Sequence, residues 1–335
     1  MIKIALNGFG RIGKLALRRL FDKDISLEFI NDKNGDPDLF AHLLEFDTVH
    51  GRWDRNISND SVSLTVNNQK IPVLSEENIS NLPLDGIDIV IDCTGFFKSE
   101  ELLAQYLKKG VKKVIVSAPV KTGTVANLVY GVNESIYDPN MHNIVTAASC
   151  TTNCLAPIVK VVHESLGIKH GSITTIHNVT NTQTIVDRPS MDFRRSRSAL
   201  NSLIPTTTGS ATAINLIYPE LNGKLNGSAV RVPLLNASLT DAVFELNTAT
   251  TVSEVNGLFK NAAETYLKDI LGYESRALVS SDFVNDPRSC IIDGQSTIVV
   301  DGTHLKVYAW YDNEWAYVCR LVDIVCMVKL SLDAD

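Results

Sequence analysis

Ile2-Lys3-Ile4-Ala5-Leu6-Asn7-Gly8-Phe9-Gly10-Arg11-Ile12-Gly13 is the stretch on which the fold turns. Ile2 to Leu6 has the apolar run of a short buried strand. A glycine-punctuated turn follows, and then Ile12, Leu15, Ala16 and Leu20 recur at the spacing of one helical face. Strand, turn and helix in that order begin a parallel α/β unit. Gly8, Gly10 and Gly13 form G-x-G-x-x-G, which permits a tight turn, close approach of backbone to a pyrophosphate, and close helix–strand packing. The helix N-terminus then favours the anion. Alone, this pattern is also that of an ordinary glycine turn. Its context adds weight: Ile30-Asn31-Asp32 places a carboxylate 19 residues past Gly13, at the end of the next strand-like run. There it would accept from an adenosine ribose 2′-hydroxyl. NAD is therefore the expected cofactor. Asp32 repels a 2′-phosphate, while the adjacent Lys33 offsets part of that repulsion and leaves NADP open.

Working outward, strand-like runs at 25–30, 87–91, 114–116 and 144–148 alternate with a helical stretch from Ser99 to Lys109, ended by Gly110. This predicts a mostly parallel sheet. From residue 151 the texture changes: a helix to Leu166, then strand-like runs at 171–179, 229–234, 239–246 and 305–310. Few helical intervals separate the last of these runs, which predicts an α+β domain on a mixed or antiparallel sheet. Residues 181–203 form a polar stretch without period that carries Arg188, Arg194, Arg195 and Arg197, and a loop of that length is usually functional or buried in an interface. A last helix is predicted over 317–330.

The chain has 335 residues, enough for about two domains. With 44% hydrophobic and 21% charged residues it reads as globular rather than disordered or coiled coil. Its net charge of −7 gives no bulk attraction for nucleic acid, so none is expected as a partner. No apolar run approaches the length of a membrane span, and no charged-then-apolar leader is visible. Six cysteines are too sparse for a disulfide scaffold, which points to free thiols and a cytoplasmic protein. No metal site is expected.

Ser149-Cys150-Thr151-Thr152-Asn153-Cys154 lies where a strand gives way to a helix. The positive end of the helix dipole should draw a thiol there from ~8.5 towards neutrality. Even so, a base is wanted, and His177 at the end of Ser172-Ile173-Thr174-Thr175-Ile176 is a candidate. On spacing alone, a buried structural cysteine and a satisfied core histidine are the commoner readings. Cys154 is read as packing. Three further pieces suit anion chemistry: the hydroxyl-rich turn 204–209 with Thr208 and Gly209, the pair Thr180 and Thr182, and Arg231 among apolar neighbours. The alternative for Arg231 is a structural pair with a carboxylate such as Asp241.

Taken together, NGFGRIG (7–13), DTVHGRW (47–53), SCTTNCLAP (149–157), TTIHNVTNTQ (174–183), IPTTTG (204–209), PELNGKLNG (219–227), RVP (231–233) and WYDNEW (310–315) resemble the phosphorylating glyceraldehyde-3-phosphate dehydrogenases. The resemblance spans nearly the whole chain, in order. It implies a Rossmann-type NAD-binding domain over 1–149, a catalytic α+β domain over 150–316, and a C-terminal helix over 317–335 returning to the first. It implies Cys150 as nucleophile and His177 as its base. Gly8, Gly10, Arg11, Ile12, Gly13, Asp32, Thr94 and Ser117 would contact the dinucleotide, and Asn313 would hold its carboxamide. One phosphate site would use Thr180, Thr182 and Arg231; the other would use Ser149, Thr151, Arg195, Thr208 and Gly209. Residues 178–203 would pack against a neighbouring subunit of a homotetramer. Glyceraldehyde 3-phosphate and inorganic phosphate are the implied partners.

Two departures are local: Ala316 stands where the family usually has Gly, and Thr146-Ala147-Ala148 replaces a common Ser-Asn-Ala. The forms TAASCTTNC, TNTQTI and TTTGSATAI also resemble a branch that uses arsenate in place of phosphate, making an arsenylated glycerate. Erythrose-4-phosphate dehydrogenase is a related alternative, against which the intact TTTG turn argues. From another class, a binding or scaffold protein on the same fold is disfavoured by the complete catalytic set.

Overall fold

In a computed structural model, described here for residues 2–23 and 25–333, the chain divides into two compact units. Residues up to Ser149 together with those from Val318 onward make one, and Cys150–Tyr317 make the other. All six cysteines are free thiols, and among the described residues no helix is long and apolar enough to cross a membrane.

The first unit opens with β1 (Ile4–Asn7), the glycine turn and α1 (Arg11–Phe21), followed by β2 (Phe29–Asn31) and α2 (Pro37–Glu45). Leu15, Ala16, Leu17 and Leu20 bury one face of α1, and Arg18 and Arg19 in its last turn complement the helix dipole. Asp36 caps α2 by accepting from the amides of Asp38 and Leu39, with Pro37 in the first turn. A meander of β3 (Ile57–Asp60), β4 (Ser63–Val66) and β5 (Gln69–Leu74) comes next, then β6 (Ile89–Asp92), α3 (Glu100–Lys108), β7 (Lys113–Val116), β8 (Ala126–Asn127) and β9 (Ile144–Thr146). Ser99 caps α3 through the Leu102 amide, and Glu100 and Glu101 fill its first turn.

These strands lie in the order β3-β4-β5-β2-β1-β6-β7-β9-β8. From β5 to β8 every pairing is parallel, while β3, β4 and β5 pair antiparallel. The expected parallel sheet is therefore present, with an antiparallel extension that was not anticipated. The strand expected over 25–30 is shorter: only Phe29–Asn31 pairs, while Ile25 and Leu27 are buried outside any strand. Order reverses beside β1, with β2 on one side and β6 on the other. This is the topological switch point, outside whose strand ends ligands of such sheets bind.

One buried charge cluster anchors α1. Asp47, its side chain fully buried, accepts from Arg11 and Lys14, each at 2.6 Å. Burial acts to raise the Asp47 pKa, but the hydrogen bonds from Arg11 and Lys14 hold it well below the usual carboxylate range. Its contribution to stability is thus present above the unfolded carboxylate pKa and is lost only in strong acid. Replacing Asp47 with alanine leaves the Lys14 ammonium buried and uncompensated. The expected loss is about 3–5 kcal/mol in urea denaturation at neutral pH, and a change under about 0.5 kcal/mol, the surface-site range, would refute this role.

The second unit contains α4 (Cys150–Leu166), β10 (Ile168–Asn178), β11 (Ile204–Thr207), α5 (Ser210–Ile214), β12 (Leu225–Val232), β13 (Ser238–Leu246) and α6 (Val252–Glu264). Next come β14 (Leu271–Glu274), β15 (Cys290–Asp293), β16 (Ile298–Val300) and β17 (His304–Tyr311). The sheet runs β11-β12-β10-β13-β17-β15-β14, with β16 on β17, and mixes parallel with antiparallel pairs as expected. Helix α6, closed at its start by a Thr251–Glu254 capping box, was missed in the sequence. The final helix α7 (Trp315–Asp333) belongs to the first unit from Val318 onward, where Tyr137 and Ser331 hydroxyls meet at 3.2 Å.

Along the central strands burial alternates. The inward faces of β13 and β17 carry Ala242, Phe244 and Leu246, and Leu305, Val307 and Ala309. At one end of this apolar face stand Thr175, His177, Ser238, Thr240 and Tyr311, all buried and all polar. Buried polar groups need partners, and their clustering at one place marks a site rather than a core.

Candidate active site

Cys150 is the first residue of α4, and His177 lies on the inward face of β10. Cys150 Sγ is 3.6 Å from His177 Nε2. Register sets Arg231 of β12 directly beside His177 of β10. Arg231 Nη1 donates to His177 Nδ1 at 2.6 Å and to the Asn178 carbonyl at 2.9 Å. A guanidinium has no acceptor, so while this contact holds Nδ1 accepts and the imidazole proton sits on Nε2, facing the sulfur. Nδ1 is also 2.8 Å from the Asn178 carbonyl. When Nδ1 donates there instead, Nε2 is free to take a proton. The two arrangements exclude each other, and the position of Arg231 selects between them.

Electrostatics favour a neutral resting pair. Burial, reinforced by the Arg231 charge, pulls His177 down to about 3. Burial pushes the Cys150 thiol up, against the charge of Arg231 and the hydrogen bonds of Thr151. The expected pull of the helix start towards neutrality is not what prevails here: desolvation outweighs it. Cys150 acts as nucleophile only if its proton moves to His177 as the carbon–sulfur bond forms.

Tyr311 braces this pair. Its hydroxyl lies 3.0 Å from Thr151 Oγ1 and 2.7 Å from Thr175 Oγ1, and its ring meets the His177 ring edge-on at 6.1 Å. Ser238 Oγ accepts from the Asn178 amide and lies within donor reach of Asn178 Oδ1 (2.9 Å) and Asn313 Oδ1 (3.1 Å). It thereby ties the backbone next to His177 to the Asn313 side chain. Neither Thr175 nor Ser238 was singled out in the sequence. The period of two along β10 from His177 was the signal for Thr175, and none existed for Ser238.

The candidate anion groups fall into separate sets. Thr180 and Thr182 hydroxyls meet at 2.9 Å, and Thr180 also donates to Gln183. Arg195 donates to Thr206 Oγ1 at 3.0 Å and pairs with Asp192. Thr208 meets Ser210 at 2.9 Å, with Gly209 preceding α5. No hydrogen bond joins Arg231 to Thr180 or Thr182 among the described residues. Among the described residues no carboxylate pairs with Arg231, and Asp241, the partner considered for it, is taken by Lys306 at 2.6 Å. Thr151 spends its hydroxyl on Tyr311, and Ser149 immediately precedes α4.

In the first unit, the residues expected to hold a dinucleotide gather at the switch point. Gly8 has φ +94°, and a Cβ there would lie 2.5 Å from the Cys93 carbonyl carbon. A Cβ on Gly13 would collide with the Gly8 carbonyl oxygen, so both positions require glycine. Gly10, in contrast, faces open space, and α1 has no side-chain cap and no acid in its first turn. Arg11 and Ile12 follow directly, Arg11 engaged with Asp47. Asp32 Oδ2 accepts from the Phe9 amide at 2.8 Å, docking this carboxylate on the glycine turn. Thr94 is held by Asp92, and Ser117 hydrogen-bonds the Cys93 thiol. An uncapped helix start, an open glycine edge and a carboxylate beside it fit a dinucleotide with a free 2′-hydroxyl.

Comparison with known proteins agrees with this arrangement. Residues 2–100 match the glyceraldehyde 3-phosphate dehydrogenase NAD binding domain, and residues 149–313 match the C-terminal domain of the same enzyme. Glyceraldehyde-3-phosphate dehydrogenase 3 of Nostoc sp. is 54% identical over 335 residues, covering 99% of either chain. Glyceraldehyde-3-phosphate dehydrogenase of Geobacillus stearothermophilus is 48% identical over 98% of each. Glyceraldehyde-3-phosphate dehydrogenase 1 of Bacillus subtilis is 46% identical, again over 98% of each. The chain belongs to the glyceraldehyde-3-phosphate dehydrogenase family.

Proposed function

We propose that this protein oxidises D-glyceraldehyde 3-phosphate with NAD and inorganic phosphate to 1,3-bisphosphoglycerate, through a thiohemiacetal and a thioester on Cys150. The observation that carries the reading is the 3.6 Å approach of Cys150 Sγ to His177 Nε2, with Arg231 behind the imidazole. With Nδ1 donating to the Asn178 carbonyl, His177 Nε2 takes the thiol proton as sulfur adds to the aldehyde carbon. Amides at the start of α4 and the protonated imidazole stabilise the oxyanion, and the imidazolium then passes its proton to that oxygen to give the thiohemiacetal hydroxyl. NAD, when bound, supplies the hydride acceptor. Gly8, Gly10, Arg11, Ile12, Gly13, Asp32, Thr94 and Ser117 would hold it, and Asn313, which Ser238 orients, would take its carboxamide. His177 accepts the hydroxyl proton as the carbonyl re-forms. A phosphate oxygen then attacks the thioester carbon, the carbon–sulfur bond breaks, and Cys150 is released with its thiol proton restored.

Two anion sites follow from this chemistry, one for the substrate's phosphate and one for the attacking phosphate. Arg231, Thr180 and Thr182 make one; Arg195, Ser149, Thr151, Thr208 and Gly209 make the other. The first unit is the NAD-binding domain and the second the catalytic domain. A homotetramer is supported by residues 178–203, where Met191 is 100% exposed and Phe193 86%, beside exposed Ile185, Val186, Leu200 and Leu203. An apolar patch of that kind marks an interface. Free thiols throughout support a cytoplasmic setting.

The test measures NADH formation on glyceraldehyde 3-phosphate and on erythrose 4-phosphate, with phosphate, with arsenate and with neither. Turnover that depends on added phosphate and prefers the three-carbon aldehyde is the expected result. Equal rates without any oxyanion would reject phosphorolysis. A marked preference for arsenate would move the protein to the arsenate-using branch.

A further inference from the structure

At the C-terminal ends of β1, β2 and β6, buried polar side chains form one continuous line of hydrogen bonds. Asn31 Nδ2 donates to Asn7 Oδ1 (2.7 Å), Asn7 Nδ2 donates to the Tyr106 hydroxyl (2.5 Å), and Tyr106 donates to Asp92 Oδ2 (2.8 Å). Asp92 Oδ1 accepts from both the amide and the hydroxyl of Thr94, at 3.0 and 2.8 Å. At the other end, Asn31 exchanges hydrogen bonds with the Glu76 backbone. Asp92 is only 1% exposed, and among the described residues no Lys, Arg or His pairs with it. An acid buried without a cation is costly, and for packing alone an apolar side chain would serve better.

The line reaches three of the turns assigned above to the dinucleotide, those after β1, β2 and β6. Asn7 precedes Gly8, Asn31 precedes Asp32, and Asp92 holds Thr94. Backbone bonds tie the same turns together, Gly8 N–H to the Asn31 carbonyl (2.7 Å) and Cys93 N–H to the Asn7 carbonyl (2.6 Å). We propose that Asp92 is a positioning residue for NAD binding, fixing these three strand-end turns through Thr94 and through the Tyr106–Asn7–Asn31 line. The assignment rests on the NAD reading above.

Every donor that meets Asp92 points at it, so the line matches an acceptor-only carboxylate. A protonated Asp92 must donate, which would reverse the Tyr106 or Thr94 hydroxyl. The titratable groups facing it are Tyr106 from α3 and Cys93 from its own strand end. Burial pushes Cys93 up to about 12 and Tyr106 well above its ordinary value, so both stay neutral. Burial likewise raises Asp92 to about 6, against the hydrogen bonds of Thr94 and Tyr106. In folding this acid therefore favours stability below its unfolded pKa, and that contribution is lost as pH rises through 6. In NAD binding the sign is opposite, because the ionised form is the one that orders the turns.

The experiment is calorimetric NAD titration of the full-length protein between pH 5 and 8.5, for wild type, Asp92→Asn and Tyr106→Phe. Wild-type affinity should weaken as pH falls through about 6. Asp92→Asn should raise the Kd about tenfold at pH 8, the scale of one charged hydrogen bond. It should flatten the pH profile and place its effect on KM for NAD rather than on kcat. Tyr106→Phe removes one donor from the carboxylate and should move the inflection upward. A wild-type Kd and inflection in Asp92→Asn would overturn the assignment. Should that variant not fold, an unshifted inflection in Tyr106→Phe would overturn it equally. Wild-type protein that binds no NAD at any pH would instead overturn the dehydrogenase reading, and this one with it.

Discussion

Cys150→Ser should lower NADH formation from glyceraldehyde 3-phosphate by ~10⁴-fold or more, the scale seen when a covalent nucleophile is removed. A serine hydroxyl is a far weaker acid than a thiol, and a neutral imidazole already pulled down to about 3 cannot ionise it. The side chains are close in volume, and Thr151, Tyr311 and Thr175 keep their mutual hydrogen bonds without the sulfur. Folding and NAD affinity should therefore survive. Steady-state rates alongside NAD titration separate the outcomes: residual activity within about tenfold of wild type would mean that catalysis does not pass through a bond to this residue.

His177→Asn should slow acylation and hydride release by ~10²–10⁴-fold, the range expected for loss of a general acid–base. Asparagine can donate a hydrogen bond to sulfur but cannot take a proton from it and return it. The substitution also leaves Arg231 Nη1 with only the Asn178 carbonyl among its present partners. An added loss of affinity for phosphorylated substrate, as Arg231 shifts, is consistent with the same account. Single-turnover absorbance at the NADH band reads the acylation rate directly. If NAD affinity collapses while the chemical rate holds, His177 has a structural role instead.

Much of this was legible in the chain because local chemistry announces itself. The glycines at 8, 10 and 13, the carboxylate at 32, and the change from alternating helix and strand to long strands predicted a parallel sheet followed by a mixed one, as found. Cys150 opening α4 could be read from the strand-to-helix change in SCTTNC. What escaped was set by long-range register. Arg231 beside His177 depends on the parallel pairing of β10 with β12, 54 residues apart, and no periodicity encodes that. Tyr311 sits in a motif whose resemblance was clear, yet its grip on Thr151 and Thr175 depends on a helix and two strands meeting. The thiol's pKa was misjudged for the same reason, since a helix terminus is visible in sequence and desolvation is not. Of the antiparallel extension, β3 (Ile57–Asp60) is mostly exposed and gave no signal, but Val62-Ser63-Leu64-Thr65-Val66 alternates strictly before Asn67-Asn68, a strand-and-turn pattern that was legible and went unread.

The central claim is that a carbon–sulfur bond on Cys150 lies on the reaction path. It is tested most directly by mixing the protein with NAD and glyceraldehyde 3-phosphate in the absence of phosphate, quenching in acid, and mapping the adduct by mass spectrometry while recording NADH. The account predicts a burst approaching one NADH per chain, with a phosphoglyceroyl group on the peptide that carries Cys150. A burst with the acyl group on another side chain, or steady NADH formation with Cys150 unmodified throughout, would contradict it.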